Sequence, residues 1–119
     1  MVLVTVCGLA FADPTPAPVR AEIDAMLNRL ETSACEFQRN GTWHDSARAK
    51  AHLLDKLGYI EKRGAVQSAE QFIELAASRS SMSGKPYQVR CGGAAPVESN
   101  QWLREQLTAI RGSSRGTPR

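Results

Sequence analysis

The residues best suited to chemistry lie in one stretch, Ser78-Arg79-Ser80-Ser81-Met82-Ser83-Gly84-Lys85-Pro86-Tyr87. A phosphate-cradling P-loop would need a glycine six positions before the lysine and a serine or threonine just after it. Loop amides then hold the phosphate and the hydroxyl holds Mg²⁺. Arg79 and Pro86 occupy those two places. An S-x-x-K acyl-transfer motif would need serine three residues before the lysine, where Met82 stands. What remains is the hydroxyls of Ser80, Ser81 and Ser83, a glycine (Gly84) free to take positive φ, the cations Arg79 and Lys85, and the phenol of Tyr87. That set suits a carboxylate, a phosphate or a sugar acid. It also describes a polar helix-to-strand connection whose serines cap loose backbone amides. An enzymatic alternative is a small envelope hydrolase pairing Ser81 or Ser83 with His52, which requires a hydroxyl within hydrogen-bond reach of the imidazole.

Other chemistries are excluded more firmly. His44, Asp45 and His52 have no cysteine or carboxylate at a metal-binding spacing, so no metal site is expected. Glu22 with Asp24, and Glu70 with Glu74, fall on helix positions where solubility accounts for them. There is no nucleophile elbow or dinucleotide fingerprint, and no cofactor is implied. The aromatics Phe37, Trp43, Tyr59, Phe72, Tyr87 and Trp102 mostly fall on apolar faces or beside them, so no base-stacking platform interleaves with cations and nucleic acid is not an expected partner.

The elements that must position these residues follow from periodicity. Val19, Ile23, Met26, Leu27 and Leu30 form one apolar stripe, predicting an amphipathic helix that Pro18 can open. Cys35 to Arg39 alternates into Asn40-Gly41, a tight-turn signal that leaves Thr42 and Trp43 for a short return strand. Ser46 to Lys62 carries Ala49, Leu53, Leu57 and Ile60 on one face, and Arg48, His52, Lys56, Tyr59 and Arg63 on its flank. Such a flank reads as a solvated face or as a basic binding stripe. Ser68 and Gln71 fit a capping box for a third helix presenting Phe72, Ile73, Ala76 and Ala77. Tyr87 to Cys91 alternates as a second main strand, and Ser99 opens a last helix with Trp102, Leu103, Leu107 and Ile110 inward. The expectation is an α+β domain over residues 19–111, about four helices on a small two- or three-stranded antiparallel sheet.

The ends carry different information. Val2 to Ala12, VLVTVCGLAFA, is an apolar run closing on Ala10-Phe11-Ala12. It reads as a secretory signal cleaved after Ala12, too short to span a membrane. Met1 is followed directly by Val2, without a basic residue, so the start is read as lying a few codons downstream of the true one. A Pro-rich lead-in covers residues 13–18. Gly112 to Arg119 offers nothing to bury and is expected to be a disordered basic tail.

Cleavage leaves Cys35 and Cys91, 56 positions apart, one on each predicted main strand. Pairing those strands would bring the two together, and an exported chain would bridge them, for about 4 kcal/mol on the loop-entropy relation. The 119 residues hold 15 Lys plus Arg against 12 Asp plus Glu, a net charge of +3. Setting aside Arg111, Arg115 and Arg119 leaves 12 cations against 12 anions, so the excess is expected at the C-terminus rather than on the domain.

At Phe37-Gln38-Arg39-Asn40-Gly41, Ala69-Glu70-Gln71-Phe72-Ile73 and above all Ser80-Ser81-Met82-Ser83-Gly84-Lys85-Pro86-Tyr87-Gln88-Val89, the sequence resembles the YfeK-like family of small exported bacterial proteins. The likeness covers roughly residues 19–110. It implies a periplasmic or secreted one-domain protein without an assigned activity, and it supplies no catalytic residues to carry over. The functional expectation is therefore a non-enzymatic binding or interaction module. Its partner would be an envelope protein or an anionic small molecule, with residues 78–87 as the candidate anion-binding loop. Mass spectrometry of material recovered from the envelope is expected to show a chain beginning at Asp13, lighter by the two hydrogens of one bridge. Two titratable thiols in that material would remove the disulfide.

Overall fold

In the computed structural model, which describes residues 15–115, the first helix, α1 (Ala17–Thr32), starts on Pro16 as its N-cap. Pro18 sits in its first turn, where a helix-like fixed φ is an advantage and the missing amide would have been unpaired. Ile23, Met26, Leu27 and Leu30 are its buried face. The expected signal segment, residues 1–12, lies outside the described residues.

After Cys35, β1 (Glu36–Arg39) turns through Asn40 (φ +50°) and Gly41 (φ +84°) into β2 (Thr42–His44). Two successive positive φ angles make the turn whose twist matches a hairpin, which is why Asn-Gly occupies it. The Asp45 side chain caps α2 (Ser46–Glu61) by accepting from the Arg48 amide at 2.8 Å. Ser68 caps α3 (Ala69–Ala76) by accepting from the Gln71 amide at 3.0 Å. Gln71 returns its side chain to the Gln67 amide, at 2.6 Å, one residue earlier than a capping box places it. The chain continues through β3 (Gln88–Arg90) and β4 (Val97–Glu98) into α4 (Ser99–Arg115).

The four strands form one antiparallel sheet in the order β2-β1-β3-β4. The α+β arrangement with four helices is the expected one, with a sheet one strand wider than two or three. The added strand, β4, has two residues and follows Ala94-Ala95-Pro96, too short to show alternation. Phe37 pairs with Val89 on the face that meets the helices, while Glu36 and Gln38 lie across from Arg90 and Gln88 on the other face. On that outer face the Arg90 guanidinium lies 4.0 Å from the Trp43 ring centre and bonds Glu36 at 2.8 Å.

One residue past the Glu36–Arg90 pair the same register sets Cys35 opposite Cys91, and the two form a disulfide with their Cα atoms 4.2 Å apart. The core is continuous: Phe37 and Val89 from the sheet, Leu53 and Leu57 from α2, Phe72 and Ile73 from α3, and Leu103 from α4 are all at most 1% exposed.

Arg111 of α4 bonds Glu22 of α1 at 2.9 Å through both Nε and Nη2, and Glu70 of α3 at 2.6 and 3.0 Å. This clamp joins three helices and corrects one expectation, because Glu22 and Glu70 are structural partners rather than acids placed only for solubility. The Arg111 hydrogen bonds hold both carboxyls below the usual carboxylate range, and those from Glu22 and Glu70 hold the guanidinium above its own. α4 runs on through Arg115, so the boundary expected at residue 112 falls inside its last turns. Extending a helix already held this firmly costs little.

Ala34 follows the C-cap of α1 at φ +63°, a left-handed position that glycine fills without the Cβ penalty. Ala34→Gly is expected to raise the unfolding free energy by about 0.5–1 kcal/mol, the relief of αL strain exceeding the added chain entropy. A urea denaturation series with unchanged slope checks this, and an unchanged or lowered midpoint would contradict it.

Candidate functional site

The polar connection 78–87 joins α3 to β3 as a small closed loop. Ser80 donates its amide to the Lys85 carbonyl at 2.9 Å, Gly84 donates to the Ser80 carbonyl at 2.9 Å, and Tyr87 donates to the Ser78 carbonyl at 3.0 Å. Arg79 and Pro86 form an antiparallel bridge at its base. Gly84 takes φ +75°, as its type allows.

Two serines of the candidate site are committed to the loop itself. The buried Ser80 Oγ accepts from the Met82 amide at 3.1 Å, the Ser83 amide at 3.2 Å and the Asn40 side chain at 3.3 Å. Ser83 Oγ donates to Asn40 Oδ1 at 2.6 Å and accepts from the Lys85 amide at 3.2 Å. Asn40 of the β1–β2 turn thus holds the loop from across the sheet. Ser81 and Lys85 are exposed, and Met82 at the tip is 93% exposed. Arg79 is exposed and reaches Glu74 only at 3.9 Å.

Tyr87 behaves differently from the rest of the loop. It is 2% exposed, with its ring packed 5.1 Å from that of Phe37, centre to centre. Lys56 Nζ donates to the Tyr87 hydroxyl at 3.0 Å and to the Arg79 carbonyl at 3.2 Å, and His52 Nε2 lies 3.2 Å from the same hydroxyl. An ammonium can only donate. The phenol oxygen therefore accepts from Lys56, and since no other acceptor meets the hydroxyl among the described residues, its own proton goes to His52 Nε2. That assigns the imidazole as neutral, with its hydrogen on Nδ1.

The environment agrees with this assignment. Burial, the Arg39 charge and the Lys56 charge together push the His52 pKa down to about 4. His44 is lowered too, by burial and by Arg39 and Arg48. His44 pairs with Phe37, and Arg39 sits two residues beyond Phe37, so both lie on the helix-facing side of the hairpin. Four elements thus converge: Arg39 from β1, His44 from β2, Arg48, His52 and Lys56 from α2, and Tyr87 at the entrance to β3.

Of the sequence-level candidates, the structure brings Tyr87 to His52 and leaves Ser81 and Ser83 apart from it. Among the described residues the His52 imidazole bonds no serine. The basic flank of α2 divides: His52 and Lys56 tuck beneath the loop, while Arg63 stacks on the 58% exposed Tyr59. The i, i+4 spacing of His52 and Lys56 was legible, but the phenol that joins them comes from 31 residues further along. No group of three metal-ligating side chains occurs among the described residues.

Residues 17–111 match a family of unknown function, DUF5329. The chain belongs to that family. Within the match lie the disulfide, the Asn40 turn, the loop and the His52–Tyr87–Lys56 cluster. The uncharacterized protein YfeK of Salmonella typhimurium is 47% identical over 68 residues, 56% of this chain and 55% of its own. The chain spans about half the length of that curated relative. No solved structure matches this DUF5329 chain.

The His52 environment has a consequence for stability. Its folded pKa lies below its unfolded value of about 6.5, so the unfolded chain binds more protons between those limits. Stability is fully present above pH 6.5 and falls as pH drops towards 4, with His44 contributing in the same direction. Glu22 and Glu70 lose their contribution only below their unfolded value of 4.5. Between pH 7 and 5, His52→Gln is expected to lose less of its urea midpoint than the parent chain. An identical loss in both would rule out His52 as the source.

Proposed function

We propose that this chain is an exported, non-catalytic binding module that holds an anionic partner, a small molecule or an acidic segment of an envelope protein. The face involved is the one where the α2 flank, the β1–β2 hairpin and the 78–87 loop meet. Export is supported by the Cys35–Cys91 bridge, which oxidising compartments favour, and by the apolar run from Val2 to Ala12. No helix among the described residues is long and apolar enough to cross a membrane.

The observation that carries the reading is an imbalance of charge. Several cations of the described surface are matched by carboxylates, Arg20 by Asp24, Lys50 by Glu31, Arg90 by Glu36, and Arg111 by Glu22 and Glu70, while Arg29, Lys62 and Arg63 are scattered outside this face and join no ion pair among the described residues. Arg39, Arg48, Lys56 and Lys85 join no ion pair among the described residues. A face left cationic over a rigid loop and a packed helix favours an anionic partner, because little conformational entropy remains to be lost on binding.

Charge reversal tests this with an internal control. Arg48→Glu with Lys85→Glu is expected to lower clearly the salt concentration needed to elute the protein from a sulfate-substituted resin. Lys62→Glu with Arg63→Glu changes net charge equally, roughly 20 Å further along α2, and is expected to lower it much less. Equal losses in the two double variants would reduce the effect to net charge and sink the reading.

A further inference from the structure

We propose that His52, Lys56 and Arg39 form a proton-coupled binding site for a tetrahedral oxyanion, of which a phosphate group is the type. The inference deepens the binding role proposed above and rests on it for its biological use, but its chemistry stands on the cluster's own hydrogen bonds.

The donors are already in place. Lys56 spends two of its three N–H groups, on the Tyr87 hydroxyl at 3.0 Å and the Arg79 carbonyl at 3.2 Å, and keeps the third. The Tyr87 proton occupies His52 Nε2, which leaves the hydrogen on Nδ1, and that N–H has no acceptor among the described residues. Arg39 adds a guanidinium from the helix-facing side of β1, near enough to the imidazole for its charge to act there. The buried Tyr87 holds His52 and Lys56 in place, because its ring is packed against Phe37 and its oxygen bonds both of them. A donor set held in this way before the ligand arrives is what oxyanion recognition requires.

Proton coupling follows from what surrounds His52. Burial first, then Arg39 from β1, Lys56 from α2 and His44 from β2, disfavour a charge on the ring, Asp55 of α2 opposes them, and the Tyr87 hydroxyl occupies Nε2. A dianion seated among these groups reverses the sign of the local field. The added proton goes to Nε2, which turns from accepting the Tyr87 hydroxyl to donating to its oxygen, and the displaced hydroxyl hydrogen turns to the anion; the imidazolium, costly in the free protein, then becomes a third cation around the ligand, so binding takes up a proton and strengthens as pH falls.

Inorganic sulfate is the appropriate first probe, since its charge is constant across the range tested. With the full chain, the ring-proton NMR titration of His52 is expected to move its midpoint up by about two units in saturating sulfate. Sulfate affinity is then expected to rise about tenfold from pH 7 to pH 5. His52→Gln, which still accepts from Tyr87 but cannot take up a proton, is expected to lose the rise. Arg39→Gln, which touches neither Tyr87 nor the loop, is expected to weaken binding at pH 5 about tenfold while near-ultraviolet circular dichroism stays unchanged. Inorganic phosphate and phosphatidylcholine vesicles carrying phosphatidate then separate a free ligand from a lipid-borne one, and a His52 shift with either retains the site. A His52 midpoint unmoved by sulfate, phosphate and vesicles overturns the proposal, as does an undiminished pH rise in His52→Gln. Retention on the sulfate resin without a His52 shift would remove this site while leaving the wider cationic surface intact.

Discussion

The pairing of β1 with β3 governs most of what the molecule can do. Phe37 faces Val89 across it, and those two side chains supply the sheet's contribution to the core. A slip of one residue would exchange Phe37 for Glu36 or Gln38 on the buried face, so the register is strongly specified. The same register sets Cys35 against Cys91 at one end. At the other end it carries the Asn40 turn to the 78–87 loop and delivers Tyr87, one residue before β3, beneath α2. Bridge, loop and polar cluster are three outcomes of one alignment.

Charge is organised by the helices around that alignment. The Arg111 clamp sits where α1, α3 and α4 converge, and its four hydrogen bonds give a half-exposed arginine more geometric definition than a lone surface pair provides. The cations near β1 and the α2 flank lack such partners among the described residues. Formal neutrality over most of the chain therefore hides a separation. The helix junction satisfies its charges internally, and the face by the β1–β2 hairpin leaves several of its cations without carboxylates.

Local chemistry was readable from the sequence wherever a few neighbouring residues decide the outcome. The Asn40-Gly41 turn, the Ser68 cap, the apolar stripes of α1 and α2 and the cysteine pairing all follow from spacing and side-chain type. Features assembled from distant residues were less legible. β4 consists of two residues and exists because β3 offers a free edge. The acceptors of Arg111 lie 89 and 41 positions away, so Glu22 and Glu70 looked like ordinary solvent-facing acids. The candidate loop was located by composition, yet composition could not say that Asn40 would claim Ser80 and Ser83, or that Tyr87 rather than a serine would meet His52. Hydrogen bonds to partners far along the chain follow no local period.

The placement of the bridge also decides how the chain would carry mechanical load. Cys35 and Cys91 enclose β1, β2, α2, α3, the loop and β3 in a covalent ring, while α1 and α4 lie outside it, clasped to each other through Arg29–Gln106 and Arg111–Glu22. Tension applied at the two ends would pass from α1 through the sulfur atoms into α4 without drawing out residues 36–90. The terminal helices could be peeled apart, and the cluster around Tyr87 would sit in a segment that the pull cannot lengthen.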